Sequence, residues 1–130
     1  MGEIAKMICI DDDTFIQQIV MAIMEGTFHV TVADSAPKGL VLMETDGPFD
    51  IVLCDYDMPD MKGLEFLSLV AERWPETIRI LISGGGADPD KVAQAINAGR
   101  ISRFLAKPFC LLSLRDQLLD ECNLRNAQVT

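Results

Sequence analysis

Ile51-Val52-Leu53-Cys54 is an unbroken apolar run stopped by a carboxylate, Asp55. A strand with one wet face alternates polar and apolar side chains, whereas a continuous run suits a strand covered on both faces in a parallel sheet. The same pattern recurs on either side of it. Met7-Ile8-Cys9-Ile10 is stopped by Asp11-Asp12-Asp13, and Ile78 with Ile80-Leu81-Ile82 ends at Ser83 and three glycines. Val30-Thr31-Val32-Ala33 and Phe104-Leu105-Ala106 are weaker runs that supply two further strands.

Between these runs apolar residues recur at three- and four-residue spacing. They are Ile16, Ile19, Val20, Ile23 and Met24; Leu40, Val41 and Met43; Leu64, Leu67, Val70 and Ala71; Val92, Ala95 and Ile96; and Leu111, Leu114, Leu118 and Leu119. That is the period of a helix with one apolar stripe. Asp13, Ser35 and Asp88 stand where helix starts are capped, with Pro37 and Pro89 close behind, and Gly26, Gly47 and Gly99 follow helix ends. Strand and helix thus alternate five times. Right-handed crossovers then give an α/β fold, a doubly wound parallel sheet with helices on both faces. Residues 1–123 read as one domain, and the polar residues 124–130 as a C-terminal tail or the start of a linker.

Composition agrees. The chain has 130 residues, enough for one ordinary domain, and its 49% apolar content can fill one core. A net charge of −9 opposes binding to a phosphate backbone, so a nucleic-acid partner is not expected. No apolar run approaches the roughly 20 residues that span a bilayer, and the first residues lack the apolar stretch of a signal peptide, so a cytoplasmic location without a membrane partner is expected. Cys9, Cys54, Cys110 and Cys122 contain no C-x-x-C pair and read as reduced, structural thiols.

In such a sheet the residues just after the strands converge at one edge, where these folds bind ligands. Here they are Asp11 and Asp12, then Asp55 and Asp57, then Ser83 and Gly84, then Lys107 and Pro108. Carboxylates gathered there repel one another, by up to about 4 kcal/mol per pair at ~4 Å and an effective dielectric near 20. A hard divalent cation such as Mg²⁺ suits oxygen ligands, whereas softer metals favour Cys or His, and the only histidine, His29, opens the second strand. A lysine, a hydroxyl and glycine backbone around such a metal offer a phosphoryl group charge neutralisation and donors to its oxygens. The residues therefore propose phosphoryl chemistry on a carboxylate.

Ile10-Asp11-Asp12-Asp13, Leu53-Cys54-Asp55-Tyr56-Asp57-Met58-Pro59-Asp60-Met61-Lys62-Gly63, Leu81-Ile82-Ser83-Gly84 and Phe104-Leu105-Ala106-Lys107-Pro108-Phe109 follow one another in order, each at a strand end. By these motifs the chain resembles a response-regulator receiver domain of two-component signalling over essentially its whole length. The resemblance implies the flavodoxin-like, CheY-like fold, five parallel strands in the order 2-1-3-4-5 flanked by five helices.

It further implies that Asp11 and Asp12 hold Mg²⁺, that Asp55 accepts the phosphoryl group and also ligates the metal, and that the backbone carbonyl of Asp57 completes the metal shell. An acid at Asp57 is expected to alter phosphorylation or hydrolysis rates. Ser83 resembles the switch hydroxyl, Lys107 the cation that pairs with the phosphoryl group, and Phe104 the aromatic switch residue. Lys107-Pro108 resembles the family's cis peptide.

The implied function is a phosphorylation-dependent switch rather than an enzyme acting on an external substrate; its only catalysis is its own phosphotransfer and slow dephosphorylation. Its partners would be a sensor histidine kinase or phosphotransfer protein and an output domain or partner protein, reached through the face of the fourth helix, fifth strand and fifth helix. A phosphorylation-dependent homodimer is a further expectation of the resemblance. Asp55-x-Asp57 also resembles the acid pair of haloacid-dehalogenase-type phosphohydrolases, but those carry it after the first strand and need more chain. Two features depart from the family: the glycine-rich Ser83-Gly84-Gly85-Gly86, expected to be mobile, and Gly99 to Phe104, one residue longer than usual with an arginine where a small residue is common.

Overall fold

The apolar runs and amphipathic stretches become five strands and five helices in strict alternation in the computed structural model, which describes residues 4–107 and 111–129. In chain order they are β1 (Ala5–Ile10), α1 (Thr14–Met24), β2 (Phe28–Ala33), α2 (Ala36–Thr45), β3 (Ile51–Asp55), α3 (Gly63–Arg73), β4 (Ile78–Ser83), α4 (Pro89–Asn97), β5 (Arg103–Ala106) and α5 (Leu111–Val129). All strand pairs are parallel, and the sheet order is β2-β1-β3-β4-β5, as the resemblance implied. The helical backbone of α5 runs on to Val129, through the residues expected as a tail.

Successive strand residues point to opposite faces, and both faces are covered. Ile8, Ile10, Val52, Cys54 and Leu81 pack with Phe66, Leu67, Val70, Val92 and Ala95 under α2, α3 and α4. Met7, Cys9, Ile51, Leu53, Ile80 and Ile82 pack with Val20, Met24, Leu114 and Leu118 under α1 and α5. The central strand β3 is therefore buried along its whole length. His29, on edge strand β2, is exposed. Met7, Met43 and Met58 lie in the core, and Met61 packs against it.

The expected caps form. The side chains of Asp13, Ser35 and Asp88 accept from the backbone N–H groups of Phe15, Lys38 and Asp90. Gly26 and Gly99 adopt the left-handed φ values of 81° and 75° that end helices. Registers align the strand ends: Ile10 faces Cys54, Asp55 faces Ile82, and Ser83 faces Ala106. Backbone bonds then tie the departing loops together, from Asp11 N to Ala33 O, Tyr56 N to Ile82 O and Lys107 N to Ser83 O. Chain order and register thus bring the acids, the hydroxyl and the lysine to one edge.

One buried cation organises the opposite edge. Arg79 interrupts the apolar β4 run and is 9% exposed. Its guanidinium donates to the carbonyls of Pro75 and Thr77 before β4 and of Gly99 and Arg100 after α4, at 2.8–3.1 Å. The lengthened Gly99–Phe104 segment is thereby held from beneath, and its carbonyls at the negative end of α4 meet a positive charge. Ser102 adds a bond from the Arg79 N–H to its hydroxyl, at 3.0 Å.

Replacing Arg79 by Met keeps much of the side-chain volume and strands these carbonyls. Urea unfolding of Arg79→Met is expected to show a loss of about 2–4 kcal/mol. A loss below about 1 kcal/mol would mean that solvent satisfies the carbonyls instead.

Candidate functional site

The site begins with three carboxylates at the ends of β1 and β3. Oxygens of Asp11, Asp12 and Asp55 all lie within 4.8 Å of one another. Asp11 and Asp55 are buried while Asp12 is exposed. Asp11 Oδ1 accepts the Asp13 N–H at 2.9 Å, which orients the carboxylate. Gln17 Nε2 donates to the Asp11 carbonyl at 2.7 Å and pins the same turn to α1. Asp11 Oδ2 is left buried with no hydrogen bond among the described residues.

Lys107, from the end of β5, is the cation opposite these acids. Its Nζ lies 3.5 Å from Asp11 Oδ2 and 3.6 Å from Asp55 Oδ1, too long for good hydrogen bonds but close enough for strong Coulomb attraction. Burial pushes the Asp55 carboxyl up to about 6, the charge of Asp11 adds to the rise, and Lys107 only partly offsets it. Asp11 is raised as well, chiefly by burial, against the Asp13 N–H and Lys107. Burial works against the charge of Lys107, but Asp11 and then Asp55 outweigh it, so its affinity for the proton is raised. The cluster is thus short of positive charge.

A hard cation fits this deficit. The donor set is all oxygen, the oxygens are close together, and Asp11 Oδ2 is a buried acceptor with no hydrogen bond among the described residues. The neighbouring thiols do not compete for a metal. Burial pushes the Cys9 thiol up to about 12 and the Cys54 thiol well above its ordinary range, so both remain protonated and inert.

Ser83 is buried at the end of β4, and its Oγ accepts the Gly85 N–H at 3.1 Å, so the hydroxyl is tied to the glycine loop. Gly85 has a φ of 127°, which a side chain would strain. Phe104 is half-buried on β5 and packs against the cluster beneath α3 and α4. Asp57 departs from the acidic cluster: its exposed carboxylate pairs with Lys62 at 3.3 Å and lies against Gly86. Pro108, and with it the expected cis bond, lies outside the described residues; a cis peptide is found at Gly47–Pro48.

Two residues escaped the sequence reading. Arg79 was legible only as a charge inside an apolar strand, and Lys62 only as a cation within an otherwise acidic loop. Gly63 closes that loop: its N–H donates to the Tyr56 carbonyl at 3.0 Å, and a Cβ there would fall 2.2 Å from the Asp55 carbonyl oxygen.

Comparison with known proteins points the same way. The family model described as the response regulator receiver domain matches residues 7–119. The hydrogenase transcriptional regulatory protein HoxA of Cupriavidus necator is 34% identical over 116 residues, covering 89% of this chain and 23% of that protein. The two-component response regulator ORR1 of Oryza sativa subsp. indica is 29% identical, covering 96% of this chain and 58% of that protein. The chain thus spans well under two thirds of these relatives. Among solved structures, a CheY-like response regulator receiver domain protein from Methanospirillum hungatei JF-1 superposes with a TM-score of 0.86 at 25% identity, covering 97% of this chain and 99% of that one. The signal receiver domain of an HD domain-containing protein from Pseudomonas fluorescens Pf-5 gives 0.81 at 26% identity, covering 98% and 100%.

The raised Asp55 makes stability depend on pH. The carboxyl titrates near 3.8 in the unfolded chain and near 6 in the native one, so between these values the native state holds more protons. Raising the pH through that window costs stability through this group, by roughly 1–3 kcal/mol. In metal-free protein Asp55→Asn is therefore expected to raise the urea midpoint at about pH 7.5 and to flatten its fall from about pH 4 to 6. Millimolar Mg²⁺ should raise the wild-type midpoint at about pH 7.5 and much less at about pH 5. An Asn variant less stable than wild type at the higher pH would contradict this account of the site.

Proposed function

Because this chain belongs to the response regulator receiver domain family, we propose that it is a phosphorylation-dependent switch whose acceptor is Asp55. The observation that carries the reading is the buried pair Asp11 and Asp55, with Asp12 beside them and Lys107 within 3.6 Å of both buried acids. Asp11, Asp12, Asp55 and the backbone carbonyl of Asp57 would hold Mg²⁺. When bound, it draws charge off the phosphoryl oxygens and lets Asp55 stay ionised at neutral pH.

The donor is a phosphohistidine on a histidine kinase or phosphotransfer protein. A carboxylate oxygen of Asp55 attacks phosphorus in line, the P–N bond breaks, and the imidazole leaves with its electron pair and takes up a proton. Lys107 then has a phosphoryl oxygen as a stronger partner than the two carboxylates it now bridges. The Ser83 hydroxyl can turn to donate to another phosphoryl oxygen by giving up the Gly85 N–H it now accepts. Because Lys107 N bonds Ser83 O, movement at the end of β4 is felt by β5.

Phe104 is the residue through which that movement reaches the surface. It is half-buried between β4 and the core under α4, so a shift of Ser83 opens or closes room for its ring. The face of α4, β5 and α5 is the output surface. It carries exposed Ile96, Leu112 and Leu119, apolar side chains suited to an output domain or to a second copy once phosphorylation favours the active form. No described helix is long and apolar enough to cross a membrane. We place the domain in the cytoplasm, where histidine kinases present their phosphodonors.

Incubation with Mg²⁺ and acetyl phosphate or phosphoramidate is expected to add one phosphoryl group to the intact protein by mass spectrometry. Asp55→Asn should take up none, and removing Mg²⁺ with a chelator should suppress the wild-type adduct. Lys107→Ala should still fold and should slow labelling by roughly tenfold or more, as removal of one charge-stabilising group commonly does. Wild-type protein unmodified by either donor would refute the reading.

A further inference from the structure

The acidic loop after β3 carries one cation, Lys62, at a position where helix capping does not call for one. Lys62 is the N-cap residue of α3, yet its side chain makes no capping hydrogen bond. A positive charge there meets the positive end of the helix, where an acid or hydroxyl would be favoured. Its ammonium instead reaches back to Asp57, at 3.3 Å from Oδ1, and lies 6.0 Å from the centre of the Tyr56 ring. Both partners are more than half exposed, and exposed ion pairs contribute little to stability.

Backbone geometry nonetheless holds the two charges together on the loop that leaves Asp55. The Gly63 N–H to Tyr56 carbonyl bond closes the loop between them, and the close approach of Gly63 to the Asp55 carbonyl sets the loop directly against the acceptor residue. On the far side, Asp57 Oδ2 would lie 2.9 Å from a Cβ on Gly86, so this carboxylate stands between Lys62 and the glycine loop. Asp12 in the carboxylate cluster, and Asp57 and Asp60 on the loop that leaves Asp55, are exposed acids. Their combined field repels an anionic phosphodonor approaching Asp55, and Lys107 is already engaged by Asp11 and Asp55.

We propose that Lys62 is a donor-specificity residue: by neutralising Asp57 it admits strongly anionic phosphodonors to Asp55. This rests on the reading of Asp55 as the phosphoryl acceptor. Lys62 does not touch the reacting atoms; it acts through the charge of Asp57 on the local potential. The proposal therefore requires opposite effects on anions and cations. Uncovering Asp57 hinders an anionic donor and favours a divalent cation, whereas a damaged site would lose both.

The test compares wild type with Lys62→Ala, Lys62→Arg, Asp57→Asn and the Asp57→Asn/Lys62→Ala double variant at low ionic strength. With acetyl phosphate and saturating Mg²⁺, labelling of Lys62→Ala is expected to be roughly threefold to tenfold slower than wild type, the scale on which local charge alters encounter rates. Phosphoramidate, which carries less negative charge, should be affected less. Lys62→Arg should retain the wild-type rate, and the double variant should match Asp57→Asn. Raising the salt until screening is strong should shrink the defect. Calorimetric titration with Mg²⁺ alone should show Lys62→Ala binding the ion roughly twofold to fivefold more tightly. An unchanged acetyl phosphate rate, weaker or unchanged Mg²⁺ binding, or a double variant as slow as Lys62→Ala alone would overturn the role of Lys62. A wild-type protein that takes no label would overturn the acceptor reading, and the donor role with it.

Discussion

Two buried carboxylates, Asp11 and Asp55, share one ammonium group, Lys107, at distances longer than good hydrogen bonds. Burial raises both acids above their ordinary range, and Asp11 Oδ2 has no hydrogen-bond donor among the described residues. Such crowding does not serve stability, because taking two acids out of water against one shared cation is costly. The arrangement is a cluster of oxygens able to take further positive charge. The core supports it: β3 is covered on both faces, so Asp55 emerges from a rigid strand rather than a loop that could swing away.

The two edges of the sheet divide the labour. At the C-terminal edge, loops carry acids, a hydroxyl that accepts a glycine N–H, and a closed Tyr56–Gly63 turn, all outside the core. At the other edge, Arg79 binds four carbonyls from the segments before β4 and after α4. The end of α4 that meets Arg79 is thus anchored by side-chain bonds to the segment that follows it.

The charge pattern of the whole chain takes on meaning in this frame. A net charge of −9 gives the chain a field that attracts cations and repels anions. Lys107 serves the buried acids and Lys62 serves the exposed Asp57, so each cation is matched to an acid at the depth where it acts.

The sequence by itself determined the α/β alternation, the helix starts at Asp13, Ser35 and Asp88, and the four strand-end motifs. These depend on local rules: unbroken apolar runs for strands covered on both faces, three- and four-residue spacing for helices, and short polar side chains at caps. Because all strands run the same way, the motifs had to meet at one edge, and Asp11, Asp12, Asp55, Ser83 and Lys107 could be grouped in advance. Only the tertiary structure decided how those charges are shared. That Asp11 Oδ2 lacks a hydrogen-bond donor among the described residues, that Asp57 pairs with Lys62 instead of joining the cluster, and that Arg79 grips residues about 20 positions away depend on distances within the folded chain. Electrostatic energy falls with distance and grows with burial, and neither quantity is written in the order of residues.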